Sequence, residues 1–120
     1  LKNPPLLETG VENLWLLPSG PLPPNPAEVL ASRRMGEVLK RLSSEADMVL
    51  LDAPPVVSVT DALILASKSD GVILVVRAGR TKREIALRAK ELLEKVNARI
   101  LGSVLTDAQL DMRLQRYYGS

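Results

Sequence analysis

A chain of 120 residues, 46% hydrophobic and 25% charged with a net charge of +2, is sized for one domain, and its charge excess is too small to imply a nucleic-acid partner. It has no Cys and no His, which excludes thiol chemistry, disulfides, Cys/His zinc sites and imidazole acid–base catalysis. With 2% aromatic residues and no Phe, the core must be aliphatic, and the composition argues against a base-stacking surface.

Residues 1–13 contain Pro4 and Pro5 and little periodicity, and read as a lead-in segment. Leu14, Trp15, Leu16 and Leu17 form a short apolar run closed by Pro18, Ser19 and Gly20, so residues 14–18 are expected to be a buried strand. The proline-rich connector 21–24 is stiff and extended. Asn25 as a cap, Pro26 at the first helical position and Glu28 closing a capping box predict a helix start. Ala31, Met35, Val38, Leu39 and Leu42 then repeat at helical spacing, which extends that helix over 26–42.

Residues 48–51 are continuously apolar, and Asp52 follows, then Ala53 and the pair Pro54 and Pro55. An apolar run bounded by breakers reads as a strand buried on both faces, here 47–52, ending where proline can no longer donate to a ladder. Asp52 then lies at the carboxyl end of a parallel strand, the edge where open α/β sheets bind ligands. Ser58 or Thr60 can cap a helix over 60–68. The β-branched run Val72, Ile73, Leu74, Val75 and Val76 predicts a strand over 72–77. Thr81 and Glu84 form a second capping box for a helix over 81–97, with Glu84–Arg88 and Glu91–Lys95 as i,i+4 pairs. A last strand is expected over 100–105, followed by a polar tail, 108–120, that holds Tyr117 and Tyr118.

The alternation predicts a three-layer α/β domain over 14–107, a parallel sheet of about four strands covered by helices. Parallel strands end at one edge. That edge would gather Asp52 with the cations Arg77, Arg80, Lys82 and Arg83. Lys82 and Arg83 in a first helical turn oppose the helix dipole, which suits an anion site or, equally, solvated side chains. Asp52 is either a hard oxygen ligand for Mg²⁺ beside a phosphate or a carboxylate that ties down the next loop. Asp61 and Asp107 are the lesser candidates, of the kind that start helices or occupy turns. A phosphate cradle of the G-x-x-x-x-G-K-[ST] type is absent, since no glycine in the chain is followed by Lys.

The segments Leu17-Pro18-Ser19-Gly20-Pro21-Leu22-Pro23-Pro24-Asn25-Pro26, Leu50-Leu51-Asp52-Ala53-Pro54-Pro55, Thr60-Asp61-Ala62 and Val75-Val76-Arg77-Ala78-Gly79-Arg80-Thr81 resemble those of the bacterial tyrosine kinases of capsule and exopolysaccharide export, relatives of the septum-site and plasmid-partition ATPases. The resemblance runs through Ile100-Leu101-Gly102-Ser103-Val104-Leu105 and covers about residues 11–107. It implies a partial P-loop NTPase fold and the C-terminal half of an ATP-dependent protein-tyrosine kinase. Asp52 would be the Walker B carboxylate holding Mg²⁺ through water at the ATP phosphates. Arg77, Gly79, Arg80 and Thr106 would lie on the nucleotide side, with Thr106 where the family usually has Asn near the adenine. Tyr117 and Tyr118 would stand in for the family's phosphoacceptor cluster.

Walker A and Walker A′, which the family carries upstream of the matched region, are not in this sequence. The chain alone is therefore expected to bind no Mg-ATP tightly and to be inactive. The resemblance also implies a cytoplasmic location, at the inner face of the membrane through a missing N-terminal part or through a partner, which would be another copy or a membrane chain-length regulator. The competing reading is a non-catalytic α/β module that docks on that regulator or on a kinase. The apolar runs reach only five residues, far short of the ~18 of a membrane span, and no signal-peptide pattern opens the chain.

Overall fold

The computed structural model describes residues 4–109 and Arg116. Along the chain run β1 (Leu7–Glu8), β2 (Trp15–Leu16), α1 (Pro26–Ala31), α2 (Arg33–Glu45), α3 (Asp61–Ser67), β3 (Val72–Arg77), α4 (Arg83–Lys95) and β4 (Ile100–Thr106). The class is α/β, with a parallel β3–β4 sheet joined through α4.

The β3–β4 pair forms where the sequence placed it. Register runs from Val72 opposite Ile100 to Arg77 opposite Thr106, with one irregularity at Val72/Ile73. Burial along β3 alternates: Val72, Leu74 and Val76 are half-covered, while Ile73, Val75 and Arg77 face solvent. Gly71, just before β3, lies under the Leu101 side chain, which would have to shift for a Cβ there because Cδ1 would be 2.6 Å away.

The helical core lies in α3 and α4. Ala62, Leu65 and Ala66 of α3 and Ala89 and Leu93 of α4 are the buried apolar residues among those described, and Leu93 is the most enclosed at 1% exposure. Burial of one such leucine is worth roughly 1.5–3 kcal/mol.

Three expectations change. The helix predicted over 26–42 is two helices, because Ser32 takes an extended conformation (φ −64°, ψ 154°). Its hydroxyl donates to the Val29 carbonyl at 2.6 Å and accepts from the Met35 N–H at 3.2 Å, so one side chain closes α1 and opens α2. Asn25 precedes α1 but caps it with no side-chain bond to backbone; its amide donates to Glu28 Oε2 at 2.7 Å instead.

The strand expected over 14–18 shortens to β2 and pairs antiparallel with β1, Leu7 opposite Leu16, in a separate two-stranded sheet. The turn between them is tied by Thr9, whose hydroxyl donates to the Leu14 carbonyl at 2.9 Å, with Asn13 at φ 61°.

The third change falls on 47–52, which forms no strand and joins no ladder. Met48 is 74% and Leu50 78% exposed. A strand exists only by pairing, and among the described residues no strand pairs with this segment. The expected sheet of about four strands is thus two parallel strands, one antiparallel pair set apart, and one unpaired run.

Helix α4 begins at Arg83 rather than 81, with Lys82 as its cap residue and no side-chain capping bond. Thr81 is occupied elsewhere: its hydroxyl accepts from the Arg77 N–H at 3.0 Å. The ion pairs on α4 are Arg88–Glu91 at 3.4 Å and Lys90–Glu94 at 3.7 Å, not the two pairs expected from spacing. Thr60 precedes α3, also without a side-chain capping bond. Among the described residues, no helix is long and apolar enough to cross a membrane.

Candidate functional site

Because β3 and β4 are parallel, their carboxyl ends lie at one edge, and Arg77 and Thr106 face each other on the last rung. The chain leaves β3 through a tight turn in which the Arg80 and Thr81 N–H groups both donate to the Arg77 carbonyl, at 3.2 and 2.9 Å. Gly79 supplies the left-handed conformation that this turn needs, at φ 71°. On the neighbouring strand, the Ala78 N–H donates to the Thr106 carbonyl at 2.9 Å, which holds the two exits together.

Three of the four candidate nucleotide-side residues, Arg77, Gly79 and Thr106, are therefore built into one hydrogen-bonded corner, and Arg80 stands exposed in the turn. The Arg77 guanidinium is not free. Its Nε donates to Asp107 Oδ2 at 2.6 Å, with both side chains about half exposed. Asp107 reaches that position from a left-handed backbone, φ 54°.

Sequence reading treated Asp107 as a turn carboxylate. The signal that would have paired it with Arg77 was register, since the residue after Thr106 must fall beside the residue opposite Thr106. Thr106 Oγ1 points back to the Val76 carbonyl at 3.5 Å. The cations of this corner without an ion pair among the described residues are Arg80, Lys82 and Arg83.

Asp52 is exposed, follows the unpaired run 48–51, and makes no ion pair or hydrogen bond with the described residues. It is not part of the β3–β4 edge as a strand end, and neither is the turn at 18–20, which leaves an antiparallel strand. The expected gathering of four strand ends reduces to two.

An uncommitted carboxylate fits one side of a Mg²⁺ site, where the metal keeps waters and takes its remaining ligands from substrate oxygens. Among the described residues no three acidic, His or Cys side chains cluster to cage a metal unaided. Tyr117 and Tyr118 lie outside the described residues.

No protein-family model matches the chain. It is 40% identical over 110 residues to tyrosine-protein kinase YwqD of Bacillus subtilis, covering 91% of this chain and 46% of that protein. Among solved structures it superposes on the chimerical protein CapA2B2 with a TM-score of 0.79 and 36% identity, over 83% of this chain and 44% of the other. It superposes on the kinase domain of VpsO with a TM-score of 0.80 and 29% identity, over 87% and 51%.

The α/β chain with its parallel β3–β4 pair is thus of the kinase-domain, P-loop NTPase-like type. The chain belongs to the bacterial tyrosine-protein kinases, and it spans about half the length of the curated relatives it matches.

Proposed function

We propose that this chain is the C-terminal, Walker B-bearing half of a bacterial protein-tyrosine kinase that regulates capsule or exopolysaccharide synthesis and export. The observation that carries the reading is its 40% identity to a tyrosine-protein kinase across nine-tenths of its length. In this reading Asp52 holds Mg²⁺ through water, and ATP supplies the phosphoryl group when bound. The unpaired carboxylate is available for that role, and nothing else in the described chain competes for it.

The corner at Gly79 faces the nucleotide. Arg77, committed to Asp107, fixes the loop, while Arg80 is the cation that reaches an anion. Thr106 takes the position near the base. Tyr117 and Tyr118 are phosphoacceptors. The location is cytoplasmic, with a second copy or a membrane chain-length regulator as partner. The isolated chain, without a phosphate cradle, binds no Mg-ATP tightly and transfers nothing. Isothermal titration calorimetry should show no tight Mg-ATP binding to it, and a micromolar signal would overturn that claim.

The decisive experiment joins the chain to the complementary kinase half. Asp52→Ala should then abolish Mg-ATP-dependent autophosphorylation while circular dichroism stays unchanged. Undiminished phosphorylation would sink the Walker B assignment.

A further inference from the structure

The corner where β3 and β4 end is tied more heavily than two strand exits require. The Val72 N–H donates to the Arg99 carbonyl at 2.8 Å and the Ala78 N–H to the Thr106 carbonyl at 2.9 Å, so alternate residues of β3 turn their backbone groups to β4. The Arg77 N–H turns to the other, open side. Thr81 Oγ1 accepts it at 3.0 Å, and the Thr81 N–H donates back to the Arg77 carbonyl at 2.9 Å. Residue 77 is thus fastened at both backbone groups. From that base its guanidinium Nε donates to Asp107 Oδ2 at 2.6 Å.

Asp107 is an uneconomical residue for its place. It is the one charged residue with positive φ among those described, at 54°; Asn13 and Asn97 are the others that carry a side chain. A left-handed backbone is costly for a residue with a Cβ, and an ion pair with partners 52% and 56% exposed returns little. Stability therefore does not account for the carboxylate.

Arg77 engages one of its oxygens, and Oδ1 has no hydrogen-bond partner among the described residues. The result is an open acceptor held from two sides, by its own backbone and by Arg77. Thr106 next to it is less suited to reading a ligand, because it is half-buried and its hydroxyl is directed at the Val76 carbonyl at 3.5 Å. A carboxylate accepts hydrogen bonds and donates none, so it favours a ligand edge that carries an N–H.

We propose that Asp107 is a specificity-determining residue of the nucleotide site, with Oδ1 accepting a hydrogen bond from the exocyclic amine of adenine. Arg77 is the positioning residue that orients the carboxylate. The inference rests on reading this corner as the nucleotide side of a kinase.

The test uses the chain joined to the complementary kinase half and compares ATP with purine riboside triphosphate, which has the same ring system and phosphates but no amine. Isothermal titration calorimetry with Mg²⁺ should show ATP bound about tenfold more tightly, as expected for a hydrogen bond to a charged group. Asp107→Gly deletes the carboxylate and keeps the left-handed turn. It should weaken ATP about tenfold and leave purine riboside triphosphate within about twofold. Asp107→Asn tolerates the same backbone and retains an acceptor oxygen, so it should recover part of the preference. Arg77→Ala should lower the preference about threefold, the scale of an exposed ion pair.

Equal binding of the two nucleotides by the unsubstituted protein would overturn the proposal. So would an equal loss of both in Asp107→Gly, which marks a purely structural role. An unchanged preference in Arg77→Ala would remove Arg77 as the positioning residue. Binding of neither nucleotide by the unsubstituted protein would instead be a failure of the kinase reading, and the proposal would fall with it.

Discussion

Two short aliphatic runs meet different fates in this molecule. Residues 72–76 lie in β3, alternately half-covered and exposed and paired to β4, whereas residues 48–51 join no strand and are exposed but for the half-buried Val49. Intrinsic preference separates them in part, since four of the five residues 72–76 are β-branched and only Val49 is in 48–51. The other difference is the neighbour. Strand β3 finds β4 through the α4 crossover inside this chain, and 48–51 finds no strand among the described residues. Sequence pattern records the surroundings a segment was selected for, and the ladder forms only when those surroundings are present.

Substitutions in the two regions should therefore differ in cost, and the largest contrast involves Leu93. Leu93→Ala should destabilise the chain by about 2–5 kcal/mol, as a buried leucine truncated to alanine does, read from denaturant midpoints. Leu50→Ala in the same chain should stay within about 0.5 kcal/mol, because the side chain is already in water. Joined to the complementary half, Leu50→Ala should move toward the cost of Leu93→Ala. If Leu50→Ala stays neutral there, residues 48–51 are a surface loop and the comparison collapses.

A smaller effect is expected at the elbow between α1 and α2. Ser32→Ala removes both bonds of the hydroxyl and should cost about 1 kcal/mol, with loss of helical circular dichroism as the readout. A gain in helicity would mean that the two helices prefer to merge.

The smallest effect belongs to Arg77 and Asp107. A double-mutant cycle through Arg77→Ala and Asp107→Ala should give a coupling of about 0–1 kcal/mol that shrinks as salt is added. A coupling that ignores salt would show that the pair is shielded in a way its exposure does not suggest.

The legible parts of the fold were those closed within the chain. The strands over 72–77 and 100–105 and the helices over 60–68 and 81–97 were found to within two residues of their ends, because periodicity and partners lie close in sequence. The break at Ser32 was hidden by a helical repeat that runs on past it from Ala31 to Met35. Only the local bonds to Val29 and Met35 reveal that the serine acts as a cap. The hairpin at 7–16 leaves little periodicity in the sequence, and its mark is the pair Gly10 and Asn13, whose left-handed backbones shape the loop that closes it.

Of the candidate site, the corner of Arg77, Gly79 and Thr106 follows from parallel pairing alone. The union of that corner with Asp52 does not form here. It depended on a strand at 47–52, and that strand requires hydrogen-bond partners that the pattern assumed but could not supply.

The bond between the Arg77 N–H and Thr81 Oγ1 acts as a stop on the open side of β3. Of the alternate amides on that side, the one at residue 77 is already spoken for, so pairing can advance past Ile73 and Val75 and no further. The hydroxyl thereby sets the length of any neighbouring strand. It also fixes the height at which such a strand must give way to a loop: level with the Gly79 turn, at the corner where the cations are exposed. The threonine expected to cap α4 instead ties off the end of β3.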